Sequence, residues 1–497
     1  MLVKKIIFVL LGVNIIVASL FNSFNVVNSD TIWPYLLLPH LFKDLVYLGP
    51  DTFILHYPVS WLLVKLVGIN TTTVFLDTFL LLVTTLSGWL VFYFYFLKRY
   101  LPKLKLIYIL PAFLLINFSK VFYQIIGIPS LRNIEFAIAL LVLIYFDNYL
   151  ALSGKKLLKL GVFLVMLLLF ISDPYFIYVF ALPLVLVLFL KSLGDGKYWG
   201  ITGLMSLAIV ADTVTRNLLN KTQYFFFSGV SNAHIVYFSK IGSNIELTFN
   251  GILNILDSYP NLQILSLFSI GLFFLGVYGL RRMFREGLKD KKRVTLLMLP
   301  LIFVFTILAY VASGQPTDIE TCRYLIFIVF ALPFGIVYAI SKFSSKYVRR
   351  SVALGLIFLS LTNIIQMGLR FNGRNMTNPY EKNQTIIKAA QDLGLSYGYT
   401  GYWSAGINTF LSGNKLQFIQ VACADHMVLP QKWLASDSWF EEGNYSGKTF
   451  LMMSGLGGCS LEDVTKQFGK PFKVVSIPSE DETYSLMIFD YNIAEKF

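Results

Sequence analysis

Long apolar stretches recur along the first three quarters of the chain and predict a bundle of membrane-spanning helices. About 20 apolar residues in an α-helix cross the ~30 Å hydrocarbon core of a bilayer. Lipid offers no hydrogen bonds to the backbone, so each stretch is expected to be helical. The pattern predicts eleven spans, at approximately residues 5–22, 72–97, 104–120, 131–151, 156–172, 174–191, 199–217, 262–280, 294–313, 321–341 and 350–369.

Two of these spans need further argument. The first follows Lys4 and Lys5 and so resembles a signal peptide, but no small-residue cleavage site comes after it. We therefore expect it to be retained as a helix. Residues 155–191 are compatible with a tight helical hairpin around Ser172-Asp173-Pro174 or with one long broken helix. Two full spans fit this length better.

The distribution of Lys and Arg orients the bundle. With the N-terminus in the cytoplasm, 22 of these residues fall on cytoplasmic segments and 8 on the outer ends and loops. This is the excess that the positive-inside rule describes. An odd number of spans then places the C-terminus outside a membrane that we take to be a bacterial plasma membrane. The longest outer loops are 23–71 and 218–261, and two apolar segments of the first are expected to be helices lying in the interface.

The composition changes after the last span and predicts a second domain. We divide the chain into a transmembrane domain, 1–371, and a small extracytoplasmic α/β domain, 372–497. Apolar spacing predicts helices at 383–394 and 460–469, the latter capped by Ser460 with Asp463 three residues later. Short alternating runs predict strands at 415–421, 448–454, 471–477 and 484–490.

Composition supports the membrane assignment and narrows the partners. Of the 497 residues, 56% are hydrophobic and 14% charged, whereas soluble domains carry roughly 25% charged residues. The net charge of +13 requires no nucleic acid, because the positive-inside bias explains much of it and anionic lipids can bind the remainder. Cys423 and Cys459 both fall in the outer domain and could pair in an oxidising compartment. No cluster has metal-ligand spacing, so the cofactor is unknown and a divalent metal stays open.

Ionisable residues gather at the outer ends of the predicted spans. Such a residue at membrane depth costs about 2.5–3.5 kcal/mol on insertion scales, which makes it a functional candidate. A charge at a helix end also sits readily among headgroups and water, so each residue has a structural alternative. Their coincidence at one face, beside two aromatic loops, favours a site. The set is Asp30, Arg132, Glu135, Asp173, Asp212, Arg216, Asp318, Glu320 and Arg323.

Simpler roles are open for several of these residues. Asp173 followed by Pro174 is a good N-cap and first helical residue. Arg132 and Glu135 are three residues apart and are spaced to pair on one helix face. The four histidines are scattered, and structural roles are expected for His40, His56, His234 and His426.

The layout resembles that of the GT-C superfamily of polytopic membrane glycosyltransferases. The stretch "NSDTIWPYLLL" carries the resemblance, because an acidic residue in the first outer loop is the hallmark of that superfamily, and Asp30 matches it. The superfamily commonly has a second outer acid, which Asp173 in "SDPY" or Glu135 would match. It commonly has a late arginine that meets the carrier phosphate, which Arg323 in "CRYL" would match.

The resemblance implies an enzyme that moves a sugar from a polyprenyl-phosphate carrier to a glycan, lipid or protein acceptor at the outer face of the membrane. Asp30 would be the general base for the acceptor hydroxyl, an effect worth roughly 10²–10⁴-fold. Asp173 or Glu135 would orient the acceptor or Arg132. Arg323, with Arg132, would bind the donor phosphate through a planar guanidinium. The candidates for binding the sugar or acceptor are Trp33, Tyr35, His40 and Trp61, whose aromatic members serve equally well as interface anchors.

The resemblance covers roughly residues 1–370 and has departures. Asp30 is a single acid followed by Thr31, and no Trp-Trp-Asp motif is present, so no subfamily is assigned. A lipid-linked glycan flippase or transporter is a rival class, although it would favour helices broken at mid-membrane and internal repeats. A polymerase or ligase of surface glycans and a non-catalytic scaffold that presents the C-terminal domain are the other rivals.

Overall fold

The computed structural model defines the placement of most of the chain. The residues that it describes are 2–23, 27, 29–49, 51–101, 105–113, 132–149, 156–227, 236–256, 263–290, 293–314, 316–374, 380–453, 456–478 and 483–497. Residue 104 and residues 114–120 of the predicted span at 104–120 therefore lie outside the described residues.

The described part is mostly helical up to residue 374. Two short helices, α2 and α3, lie between the first and second long helices. The helices in chain order are α1 Leu2–Ser23, α2 Ser29–Leu37, α3 Tyr57–Val67, α4 Thr71–Tyr100, α5 Asn133–Tyr149, α6 Lys156–Ser172, α7 Leu182–Gly194, α8 Trp199–Leu219, α9 Ile241–Leu256, α10 Gln263–Lys289, α11 Val294–Ala312, α12 Ile326–Lys342 and α13 Lys346–Arg374.

Within the described residues, four helices are long and apolar enough to cross a membrane. They are Thr71–Tyr100, Ile177–Gly194, Ser266–Lys289 and Val294–Ala312, and shorter apolar helices accompany them. The chain is thus a helical protein with membrane-spanning character. The region predicted at 155–191 consists of two helices, because α6 ends at Ser172 and a π-helical turn, Ile177–Ala181, leads into α7. The predicted break at Ser172-Asp173-Pro174 is therefore present, and both the hairpin and the broken-helix interpretation contain it.

The two ends of the helical bundle can be told apart by the contacts made at each. At one end, Tyr95 and Tyr100 of α4 donate hydrogen bonds to Asp147 near the end of α5, and Asp147 also accepts from the backbone N–H of Thr295. At the other end, the backbone N–H of Phe53 donates to the carbonyl of Ser172 over 2.9 Å. We call this second end the loop end, because the chain between α1 and α4 covers it.

Helices α10 and α12 cross each other through glycines. A Cβ atom on Gly279 of α10 would lie 1.8 Å from the carbonyl oxygen of Gly335 in α12. Gly335 is equally constrained, because its Cβ would lie 2.2 Å from the carbonyl oxygen of Gly276. Small residues at such crossings let two membrane helices approach closely enough for their backbones to pack.

Replacing Gly279 with Ala is therefore expected to push α10 and α12 apart. Overpacking of this kind costs typically about 1–3 kcal/mol, and we expect a lower midpoint of thermal unfolding in detergent. Gly271→Ala is the matched control in the same helix, since its Cβ would meet nothing within 4 Å. An alanine there should be neutral or stabilising. Equal midpoints for the two variants would contradict the close contact.

The C-terminal part contains a six-stranded mixed sheet. Its strands are β3 Tyr397–Thr400, β4 Gln417–Ala424, β5 Met427–Pro430, β7 Thr449–Met452, β8 Lys473–Pro478 and β9 Thr483–Phe489, with β1, β2 and β6 defined below. The spatial order is β5-β4-β3-β7-β9-β8, and β3 runs parallel to both of its neighbours. One face packs on helices Glu381–Asp392 (α14) and Tyr402–Leu411 (α15), and the other on Leu461–Phe468 (α16).

Most of the predicted elements of this region are confirmed. The four predicted strands correspond to β4, β7, β8 and β9, and the two predicted helices to α14 and α16. Ser460 caps α16 in a complete capping box with Asp463. Cys423 and Cys459 form a disulfide with their Cα atoms 5.6 Å apart. The bond joins the end of β4 to the segment before α16.

A small sheet joins the C-terminal part to the loop end. Val46–Leu48 (β1) pairs in parallel with Phe225–Phe227 (β2) and antiparallel with Ala435–Ser436 (β6). Beside it, the Asp44 carboxylate accepts hydrogen bonds from Ser436 and Ser438 and contacts the His40 ring. Two loops of the helical part and one of the C-terminal part thus share a sheet.

The Asp44 contacts are expected to weaken in acid. The hydrogen bond from His40, with those from Ser438 and Ser436, holds the pKa of Asp44 below its usual 3.8. A carboxyl whose pKa is lowered by folding stabilises the folded form at pH above its unfolded value, and that stabilisation is lost as the pH falls through the lowered value. Limited proteolysis of 435–440 by pepsin should therefore accelerate below about pH 4. Asp44→Asn should remove the acceleration, and an identical pH profile for both proteins would contradict this account.

Candidate functional site

An ion-pair cluster lies at the loop end. Arg132 directly precedes α5, and its Nε lies 2.8 Å from Oδ2 of Asp173, which follows α6. Its Nη2 donates to Oδ2 of Asp51 over 3.1 Å. Asp173 is 0% exposed and Arg132 12%, whereas Asp51 is 28% exposed. Asp51 is therefore the member of this trio most accessible from outside the bundle.

Two tyrosine rings enclose the guanidinium of Arg132. Its Cζ lies 5.0 Å from the ring centre of Tyr175 and 5.3 Å from that of Tyr324. The Tyr175 hydroxyl donates to the carbonyl oxygen of Tyr324. Arg132 itself has a φ of +64°, which non-glycine residues seldom adopt. The surrounding contacts therefore hold both its backbone and its side chain in place.

A second buried pair lies next to this cluster. Nε2 of His56 lies 2.9 Å from Oε2 of Glu135, and the side chains are 2% and 0% exposed. Ser172 donates to the other carboxylate oxygen of Glu135. His56 belongs to the first loop, Glu135 to α5 and Ser172 to α6. The pairing of Arg132 with Glu135 on one helix face is therefore wrong, because each has a different partner.

The end of α6 is fixed from a third side. Arg216 of α8 pairs with Asp212, four residues earlier, at 3.0 Å. Its Nη2 donates to the carbonyl oxygens of Phe170 and Ile171 over 2.8 and 2.7 Å. These are carbonyls of the last turn, which have no partner inside a helix. Arg216 and Asp212 thus position the Ser172–Asp173 corner structurally, while Asp173 accepts a hydrogen bond from the backbone N–H of Tyr175 in the manner of a cap.

A buried acid inside α4 was missed by the sequence analysis, which considered charges at span ends. Asp77 is 3% exposed and accepts hydrogen bonds from the hydroxyls of Tyr35 and Ser60. The signal that could have found it is a lone carboxylate within an apolar span, which is costly in lipid. His56, expected to be structural, is likewise part of the buried pair just described.

A cavity of about 120 Å³ lies between α2 and the C-terminal part. Trp33 and His40 line it from the first loop, and Tyr402, Gln417 and Trp439 line it from the other side. Apart from His40, the residues around it are aliphatic, aromatic or neutral polar. Nε1 of Trp439 donates to Nε2 of His40 over 3.2 Å and closes one corner.

The predicted site residues fall into three groups. Arg132, Asp173 and Glu135 lie together at the loop end, whereas Trp33, Tyr35 and His40 line the cavity. Trp61 lies apart on α3, 52% exposed, with Lys65 over its ring. Asp30 lies in the first turn of α2, and Arg323 in the 3₁₀ segment Ile319–Leu325. The side chains of Asp30 and Arg323 lie outside the described part of the structure.

Trp33 and Tyr35 are more deeply buried than surface sugar platforms would be. They are 4% and 2% exposed, and Trp33 packs edge-on against Tyr57. Only the faces that line the cavity are open to a ligand. In the described part of the chain, no three His, Cys, Asp or Glu side chains are grouped as they would be to hold a metal ion.

Comparison of the chain with protein-family models, with curated proteins and with solved structures returns no match.

Proposed function

We propose that this chain is a membrane glycosyltransferase of the GT-C kind. In this proposal it has eleven spans, a cytoplasmic N-terminus and an extracytoplasmic C-terminal domain. It transfers a sugar from a polyprenyl-phosphate donor to an acceptor at the outer face. The supporting observation is that Arg132 and Glu135, at the start of α5, lie at the same end of the bundle as Asp173, which follows α6, and that the first loop covers this end.

The charge balance around Arg132 bears on which of the two predicted phosphate-binding arginines, Arg132 or Arg323, contacts the donor. Arg132 contacts two carboxylates, those of Asp51 and Asp173, so its charge is already compensated. A phosphate would have to displace one of them. We therefore assign donor phosphate binding to Arg323 and give Arg132 the role of positioning Asp51. In this proposal Asp30 is the general base, and Asp51 is the most exposed carboxylate of the cluster.

The cavity beside α2 is the proposed acceptor site. Ser29, which lines the cavity, is the residue before the proposed base Asp30. Aromatic faces next to neutral polar groups suit a sugar, since the rings cover its C–H surface and the amides and hydroxyls meet its oxygens. The near absence of charge around the cavity favours a neutral sugar in the acceptor.

The proposal is tested by an assay of sugar transfer with purified protein in detergent. The purified protein is mixed with undecaprenyl-phosphate-linked hexoses, each radiolabelled in the sugar, and with extracted cell-envelope glycans and lipids. We expect label to move to an acceptor with wild-type protein. The absence of transfer to any acceptor from any of these donors would contradict the proposal.

A transporter or flippase of lipid-linked glycans is the second candidate. One observation favours it, because buried acid and histidine chains within membrane helices are typical of proton-coupled carriers. Glu135 and Asp77 are buried acids in long apolar helices, and His56 of the first loop contacts Glu135. The two functions differ in outcome, because a carrier moves an intact donor across the bilayer and an enzyme converts it.

A further inference from the structure

Two short hydrogen-bonded chains lie side by side in the helices below the cavity. In the first, the hydroxyls of Tyr35 and Ser60 both donate to Oδ2 of Asp77, Ser60 at 2.6 Å. In the second, His56 contacts Glu135, which accepts from Ser172. The first chain begins at the cavity, whose wall includes Tyr35, and the second ends beside Asp173.

The two chains are adjacent through α3. The backbone N–H of Ser60 donates to the carbonyl of His56 over 3.0 Å, and His56 has helical φ and ψ of −83° and −30°. Residues four apart on a helix lie on the same face, about 5–6 Å between Cβ atoms. His56 is therefore the neighbour of the Ser60 side chain that holds Asp77.

Each chain ends in a buried polar atom that has no partner among the described residues. These atoms are Oδ1 of Asp77 and Nδ1 of His56. A buried donor or acceptor without a hydrogen bond costs about 1–3 kcal/mol of stability, and more if it is charged. The two atoms are complementary, since a carboxyl can donate where an imidazole nitrogen accepts.

We propose that Asp77 and His56 connect the two chains into a proton relay that runs from Tyr35 at the cavity to Glu135 and Ser172 at the ion-pair cluster. Since neither atom has a partner at hydrogen-bond distance in the described part of the chain, the connection is one bridging water between them. This inference concerns the protein's own residues and does not depend on which substrate it uses.

The proton transfer is balanced and leaves the His56 imidazole neutral. A protonated Asp77 gives its proton to Nδ1 of His56, while the proton on Nε2 passes to the Glu135 carboxylate. Asp77 becomes a carboxylate, Glu135 becomes an acid, and neutral His56 changes tautomer. The reverse steps return the proton to Asp77 and restore the original tautomer of His56. The imidazole can therefore pass a proton in either direction.

Other ionisable groups lie at both ends of the relay, and the buried Tyr57 follows His56 in the chain. Tyr35 bonds Asp77 from α2, and the cluster of Arg132, Asp51 and Asp173 lies beyond Ser172 at the far end. In a glycosyltransferase the relay would carry away the proton that the acceptor hydroxyl loses. In a carrier it would couple proton movement to transport.

The test follows the infrared carbonyl band of protonated carboxyl groups during a pH titration of the whole protein in detergent. Asp77→Asn identifies the band of Asp77. Strongly interacting sites titrate as a pair, with effects above about one pH unit. We expect Glu135→Gln to move the midpoint of the Asp77 band by about one pH unit or more, and we expect this shift to disappear in a His56→Gln background.

Asp147→Asn is the matched control. Asp147 is a buried acid that bonds tyrosines at the opposite end of α4, so its replacement should leave the midpoint of Asp77 unchanged. If the midpoint of the Asp77 band is the same in Glu135→Gln as in the wild type, the relay is overturned. A shift that persists without His56 would also overturn it, since the coupling would then act through space.

A second measurement serves if His56→Gln does not fold. The chain has four histidines, so ¹⁵N-labelled histidine gives a spectrum that can be resolved. The relay predicts that Asp77→Asn alters the proton distribution between Nδ1 and Nε2 of His56. An unchanged His56 signal would contradict it.

Discussion

Asp30→Asn is expected to abolish sugar transfer while expression and folding stay near those of the wild type. Asparagine keeps the size and hydrogen bonding of aspartate but does not take up the proton of the acceptor hydroxyl. Removing a general base typically costs roughly 10²–10⁴-fold in rate. The measurement is the initial rate of label transfer in detergent, with circular dichroism and size-exclusion chromatography as checks on folding.

Asp44→Asn is the control from the same loop. The Asp44 carboxylate bonds Ser436 and Ser438 rather than the cluster, so an amide oxygen there still accepts hydrogen bonds. Asp51→Asn is not a neutral control, because Asp51 contacts Arg132, and we expect an intermediate loss. If Asp30→Asn keeps more than about a tenth of the activity, less loss than a removed base produces, the base is another carboxylate, with Asp51 the first to examine.

Arg132→Met is expected to give the largest loss of stability. Asp173 is fully buried, and its carboxylate would lose the guanidinium that contacts it. Breaking a buried ion pair by removing one partner costs about 3–5 kcal/mol. The free energy of unfolding in detergent, measured with a chemical denaturant, should fall by that amount.

Two further variants separate charge from packing in this result. Arg132→Met combined with Asp173→Leu should recover much of the loss, because apolar residues of similar volume often replace a buried pair without cost. Lys197→Met breaks an exposed pair with Asp195 and should have no measurable effect. Equal effects of Arg132→Met and Lys197→Met would show that the cluster is not a buried network.

The C-terminal sheet shows what an alternating pattern reveals and what it misses. Strands β4, β7, β8 and β9 could be predicted because short apolar runs stand between turn residues. The central strand β3, "YGYT", was missed, since all four residues are buried and no polar face alternates with an apolar one. Its Gly398 faces the Phe450 ring, 2.5 Å from where a Cβ would lie. That contact depends on a residue 52 positions away.

The site could be predicted in part, for a related reason. Charges at span ends are visible in sequence, so Arg132, Glu135 and Asp173 were found. The partners in the first loop, His56 and Asp51, were not found. No local pattern in the sequence specifies the path of this long loop across α5 and α6. The pairing of Arg132 with Glu135 that spacing suggested fails because Arg132 lies just before the helix, with a left-handed backbone, and points to Asp173.

Sealed vesicles that contain the purified protein provide the most direct test of the central claim. An undecaprenyl-phosphate-linked hexose, radiolabelled in the sugar, is supplied with extracted envelope glycans and lipids on the side of the C-terminal domain. Our account predicts that label passes to an acceptor on that side with wild-type protein and not with Asp30→Asn. Intact donor that crosses the bilayer unconverted, equally well in both proteins, would contradict it.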